Sequence, residues 1–146
     1  MKIEEIILSF VLATNVVSEA RKGSRADAGE MSWLSSVAAK DLYLSVLVVG
    51  EIRQGLEGLR RRDSVQADHL EVWLLGLRRR YADRILPIDL EIAEEWGRMN
   101  APDPIFSRDG LMAATAKVGN MTFVTRNTSD VARTGVLLLN PFGISF

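Results

Sequence analysis

Residues 6–13, Ile-Ile-Leu-Ser-Phe-Val-Leu-Ala, are nearly continuously apolar and give way abruptly to Thr14 and Asn15. A short apolar run bounded by small polar residues reads as a strand buried on both faces. Such a strand belongs inside a parallel sheet with helices over both sides, the arrangement that hides both faces. Thr14 to Glu19 then start a helix that stops near Lys22-Gly23. Ligands of open α/β sheets sit just outside the carboxyl ends of the strands. Ala13, Thr14 and Asn15 are therefore expected at that mouth.

The rest of the chain keeps this alternation. Met31, Trp33, Leu34 and Val37 recur at near-helical spacing over 26–38. Leu42 to Val46 reads as a second strand that runs directly into a helix with Leu56 and Leu59 on its inner face. Arg60 to Asp63 breaks that helix. A longer one follows from Ser64 to Tyr81, with Leu70, Trp73, Leu74 and Leu77 at i, i+3, i+4, i+7. Ile85 to Ile88 is predicted as a third strand, and Asp89 as the cap of a helix carrying Ile92, Ala93, Trp96 and Met99. Pro102 and Pro104 end that helix. Ser107 to Val118 forms an alanine-rich helix stopped by Gly119-Asn120. Met121 to Val124 and Gly135 to Leu139 complete a set of five strands. The pattern predicts one domain over 1–146, an α/β/α sandwich around a central, mostly parallel five-stranded sheet. Trp33, Trp73 and Trp96 fall at apolar helix positions and are expected as packing anchors.

Composition narrows the chemistry. With 18 Lys and Arg against 19 Asp and Glu, the net charge is −1, so any nucleic-acid contact must come from local patches. The absence of cysteine removes disulfides, thiol catalysis and cysteine-ligated zinc together. His69 is the only histidine and lies on the polar side of its helix, which leaves no histidine triad or His-rich metal site. Met1 to Leu8 has two acids ahead of a short apolar run, unlike a secretory signal, and is too short to span a bilayer. A cytoplasmic protein is expected, without membrane attachment. No G-x-G-x-x-G, P-loop or G-x-S-x-G pattern is present.

What remains are carboxylates at strand ends. Glu51 follows the second strand by about one helical turn, Asp109 sits in the first turn of the alanine-rich helix, and Asn127 and Asp130 follow the fourth strand. In a parallel sheet these junctions share one edge. Crowded carboxylates hold a proton or a cation. Oxygen donors without histidine or cysteine suit Mg²⁺ or Mn²⁺, which can promote in-line hydrolysis of a phosphodiester. Each residue also has a plainer reading. Glu51 can be a solvated helix residue, Asp109 a first-turn partner of the helix dipole, and Asn127 and Asp130 turn formers.

Six segments decide between these readings. Val11-Leu12-Ala13-Thr14-Asn15, Leu44 to Ile52, Arg84 to Asp89, Asp109 to Ala116, Val124-Thr125-Arg126-Asn127 and Leu139 to Phe142 occur in that order over nearly the whole chain. Together they resemble the PIN-domain ribonuclease toxins of the VapC type, from type II toxin–antitoxin systems. The resemblance implies a Mg²⁺- or Mn²⁺-dependent endoribonuclease that forms a homodimer and is silenced in a hetero-oligomer with a cognate VapB-like antitoxin. Such antitoxins lay a helix or tail across the toxin groove and place a basic residue in the acidic site.

Carried over residue by residue, the resemblance makes Glu51 and Asp109 the second and third acids of the site. Asn127 stands where many relatives have the fourth, with Asp130 as its nearby alternative. Thr14, Asn15 and Thr125 match small polar residues that support the acids. The first acid, a metal ligand in relatives, should stand at 13, where this chain has Ala13. The alanine implies weakened metal binding and little or no cleavage. Active toxins harm the cells that make them, so a deliberate substitution explains the alanine better than natural loss. A naturally inactive PIN-fold module that binds RNA or protein is the competing expectation. A phosphatase-like protein would need an aspartyl nucleophile that Ala13 denies. Arg108 is a candidate phosphate contact. The clusters Arg60–Arg62 and Arg78–Arg80 read as solvated helix ends, or as contacts for RNA or an acidic partner segment.

Overall fold

Parallel strands need crossovers, and here helices supply them. The computed structural model describes residues 8–101, 103–105 and 107–143. In chain order they form β1 (Phe10–Leu12), α1 (Thr14–Ala20), α2 (Ala28–Ser36), β2 (Leu42–Ser45), α3 (Val46–Arg60) and α4 (Ser64–Arg80). Next come β3 (Ile85–Leu86), α5 (Leu90–Met99), α6 (Ser107–Val118), β4 (Thr122–Val124), α7 (Thr128–Val131) and β5 (Leu138–Leu139). All strand pairs are parallel, in the order β3-β2-β1-β4-β5. Helices cover both faces in a three-layer α/β/α sandwich.

β1 lies at the centre because its side chains can go nowhere else. Val11 and Leu12 are buried, as are Leu44 beside them on β2 and Phe123 and Val124 on β4. Val48, Leu56, Leu74 and Met112 close over the sheet from α3, α4 and α6. On α6, Ala113, Ala114 and Ala116 are fully buried, and their small side chains let the helix lie close to the strands. Phe10 meets Trp33 edge to face at 5.1 Å between ring centroids. Four helix starts are fixed by side chains: Asp27, Ser45, Asp63 and Asp89 accept from the backbone N–H of Glu30, Leu47, Gln66 and Ile92.

Several expectations need correction. The first strand is shorter than 6–13: Leu8 is exposed, Ala13 already begins the turn into α1, and residues 6 and 7 lie outside the described residues. The fifth strand narrows to Leu138–Leu139, because Gly135 takes a left-handed φ of 79° and the chain straightens only beside β4. The segment after Asn127 is a short helix rather than a turn. Arg60 is no solvated helix end: it pairs with Asp68 at 2.9 Å and Glu71 at 2.6 Å, tying α3 to α4. The stop after α6 falls at Gly119-Asn120 as expected, with Asn120 at a positive φ of 55°.

One residue breaks the rules of the core. Glu30 on α2 is fully buried, and neither carboxyl oxygen has a hydrogen-bond partner among the described residues. Burial first, then the charges of Glu19 and Asp27, push its carboxyl up to about 8, against the opposing pull of Arg126 and Lys22. Glu30 therefore keeps its proton at neutral pH in the folded chain and loses it in the unfolded one. The sign follows from linkage. Between the ordinary carboxylate range and about pH 8 the folded state holds one more proton, so stability falls as pH rises, by up to about 1.4 kcal/mol per pH unit. Glu30→Leu, of similar volume, is expected to raise stability at pH 8 by roughly 1–4 kcal/mol and to flatten this slope. Urea denaturation of both forms at pH 6 and pH 8.5 checks it, and parallel pH dependences would refute the assignment.

Candidate metal-dependent active site

The site is built where β1 ends. The Ala13 N–H donates to the Val124 carbonyl at 2.9 Å, so the turn out of β1 stays bonded to β4 one residue past the strand. Ala13, Thr14 and Asn15 then wall a cavity of about 310 Å³ that Glu51, Asp109 and Asn127 complete. These six residues come from the turns that follow β1 and β4, from the second turn of α3, which follows β2, and from the first turn of α6.

Hydrogen bonds fix its walls. The Thr14 hydroxyl donates to Glu51 Oε1 at 3.1 Å, across 37 residues of sequence. Asn15 works from both ends of its amide: Nδ2 donates to the Thr125 hydroxyl at 3.2 Å, and Oδ1 accepts from the Arg126 N–H at 3.1 Å. Thr125 Oγ1 also accepts from the Asn127 N–H at 3.1 Å, which sets the backbone of that wall. Gly110 lets the first turn of α6 press against α5, since a Cβ there would stand 3.2 Å from the Trp96 ring. That contact places the neighbouring Asp109.

The charges are unbalanced toward the negative. Burial first, then the charges of Glu51 and Asp130, push the Asp109 carboxyl above its usual range, with Arg108 opposing them. Asp130 does not line the cavity, although it is near enough to act on Asp109. Arg108 Nε lies 3.5 Å from Glu51 Oε2.

Residues 10–137 match the PIN domain family. The chain belongs to the PIN-domain family. Toxin FitB of Neisseria gonorrhoeae is 32% identical to it over 91% of this chain and 98% of that protein. The VapC ribonuclease Y4jK of Sinorhizobium fredii is also 32% identical, over 91% of this chain and 97% of its own length. The crystal structure of FitAcB from Neisseria gonorrhoeae superposes with a TM-score of 0.84 at 30% identity, covering 92% of this chain and 99% of that one.

This PIN domain thus brings Ala13, Thr14, Asn15, Glu51, Asp109 and Asn127 into one cavity and keeps Thr125, Arg108 and Asp130 at its border. Among the described residues, no group of three or more acidic, histidine or cysteine side chains is gathered closely enough to hold a metal ion. Two carboxylates and several neutral oxygens remain. Their chemistry fits a hard divalent cation. Gln54 and Arg126 escaped sequence reading. Gln54 accepts from Arg108 at 3.5 Å from one turn beyond Glu51, a position that marks nothing unless Arg108 is already placed.

Burial and the neighbouring charges at Asp109 have a measurable consequence. Asp109→Asn keeps the shape and removes the crowded charge, so it is expected to raise the metal-free melting temperature by roughly 2–4 °C, the shift that about 1 kcal/mol makes in a chain this long. Thermal melting in EDTA at pH 7 measures it. A fall in melting temperature would show that Asp109 is held by favourable contacts instead.

Proposed function

We propose that this PIN domain is the toxin half of a type II toxin–antitoxin pair, an endoribonuclease whose cleavage is impaired by Ala13. The observation that carries the reading is the shared cavity. Glu51, braced by Thr14, and Asp109 face the same space as position 13, at the switch point of a parallel sheet. The Toxin FitB and VapC ribonuclease relatives support the toxin and nuclease parts of it.

Glu51 and Asp109 would hold Mg²⁺ or Mn²⁺, with Asn127 as a neutral oxygen donor. Once bound, such an ion supplies hydroxide at neutral pH and offsets the charge on a phosphodiester. The residues of the chain do the positioning. Thr14 keeps Glu51 aimed into the cavity, and Asn15 and Thr125 lock the two loops that form its walls. A partner antitoxin silences the site by covering it, and the toxin acts in the cytoplasm as a homodimer or within the toxin–antitoxin hetero-oligomer. Ala13 itself favours a second reading, a natural PIN-fold module that binds RNA or protein without cutting it.

Ala13→Asp separates the two. Restoring the ligand is expected to raise RNA cleavage with Mg²⁺ or Mn²⁺ by about 100-fold or more, since even outer-shell losses cost 10–100-fold. EDTA should abolish the gain, as should Glu51→Gln in the same background. Absence of cleavage by the Ala13→Asp variant on a broad RNA pool would favour the binding module. Cleavage by the unsubstituted chain that survives EDTA would sink the metal mechanism.

A further inference from the structure

Arg108 carries its charge at the end of a helix that should repel it. The first turn of α6 exposes N–H groups and the positive end of the peptide dipoles, which favour acids over cations. The guanidinium is held there by α3. Its Nε, sealed from solvent, faces Glu51 Oε2 at 3.5 Å, and Nη1 donates to Gln54 Oε1 at 3.5 Å. Glu51 is only 24% exposed, and Thr14 already donates to its other oxygen, Oε1. Thr14 thus holds Oε1, and the Arg108 charge faces Oε2 at ion-pair distance. A cation that binds Glu51 through Oε2 must compete with that positive charge or sit beside it.

From this geometry we propose that Arg108 is an internal counter-cation of the site, a specificity-determining residue that weakens divalent-metal binding by competing for Glu51 Oε2. The proposal rests on the reading of Glu51 and Asp109 as metal ligands. In the metal-free chain, Arg108 offsets part of the charge of Glu51 and Asp109. On metal binding the same charge becomes repulsive. Arg108 thereby sets a threshold: the site stays closed to weakly competing cations and opens only where the donor set, as with an acid at position 13, outcompetes one guanidinium.

The test is calorimetric Mn²⁺ titration of the chain, of R108Q and R108K, and of each in the Ala13→Asp background. R108Q is expected to bind Mn²⁺ about tenfold more tightly, as removal of a unit charge a few ångströms from a divalent ion requires in a half-exposed cleft. In EDTA, R108Q should melt at a lower temperature than the parent chain, and added Mn²⁺ should raise its melting temperature more. R108K keeps the charge and should restore most of the weakening, which a purely packing role would not. Unchanged or weaker Mn²⁺ affinity in R108Q, with binding still abolished by Glu51→Gln, would overturn the counter-cation role and leave the metal site standing. Absence of Mn²⁺ binding in every form, the Ala13→Asp forms included, would overturn the ligand assignment and the inference with it.

Discussion

Everything at the site hangs on β1 being paired on both sides. Phe10 to Leu12 align with Leu42 to Leu44 on one side and Thr122 to Val124 on the other, and the bond from Ala13 N–H to Val124 carries that pairing into the turn. The chain leaves β2 and β4 on opposite sides of β1, which opens a crevice at their carboxyl ends. Glu51 arrives from the β2 side and Asn127 from the β4 side, and neither can shift without disturbing a central, buried strand. The sheet therefore supplies the rigidity that a charged, partly solvated cavity cannot supply for itself.

The molecule handles its two sets of crowded acids in opposite ways. Around the cavity, each carboxylate has a counterweight: Thr14 and Arg108 for Glu51, Arg108 for Asp109. Glu30 has none within hydrogen-bonding reach among the described residues and stays neutral. Arg126 stands between the two regions. Its backbone N–H donates to Asn15 at the cavity wall, while its guanidinium lies 3.8 Å from Glu19 and stacks 3.8 Å over the Phe142 ring. The loop after β4 is thus clamped to both α1 and the chain beyond β5. A change in charge near Glu30 acts on that loop through Glu19 and Arg126, and only indirectly on the cavity.

Much of this was legible in the sequence, for identifiable reasons. The alternation of short apolar runs with 3.6-period helices placed every strand, since burial of both faces and one face leave different patterns. Glu51, Asp109 and Asn127 were legible as a set because each stands within about two turns of a strand end or in a helix's first turn, and a parallel sheet gathers such places at one edge. What stayed hidden depends on tertiary packing. The extent of β5 follows from the two residues of β4, Phe123 and Val124, that it pairs with, which no local pattern in Gly135 to Leu139 reveals. Glu30 at helical spacing looks like an ordinary first-turn acid. Only the packed structure shows it sealed in the core. Arg60 reads as a helix-end cation until α4 folds back and offers Asp68 and Glu71.

The capping pattern singles out the same place by another route. The starts of α2, α3, α4 and α5 each have a side-chain acceptor, whereas those of α1 and α7 have none. The two uncapped positions are Ala13 and Asn127, and both wall the cavity. Alanine is among the poorest N-cap residues, worse by about 1 kcal/mol than an aspartate. Asparagine is among the best, yet Asn127 makes no capping bond. Local helix chemistry is thus left unsatisfied at two of these six starts, both on one cavity, while the other four obey it. Departures from local preference gather where a fold serves something other than its own stability. In the proposed metal site, an acid at position 13 would also supply the side-chain cap that the start of α1 lacks.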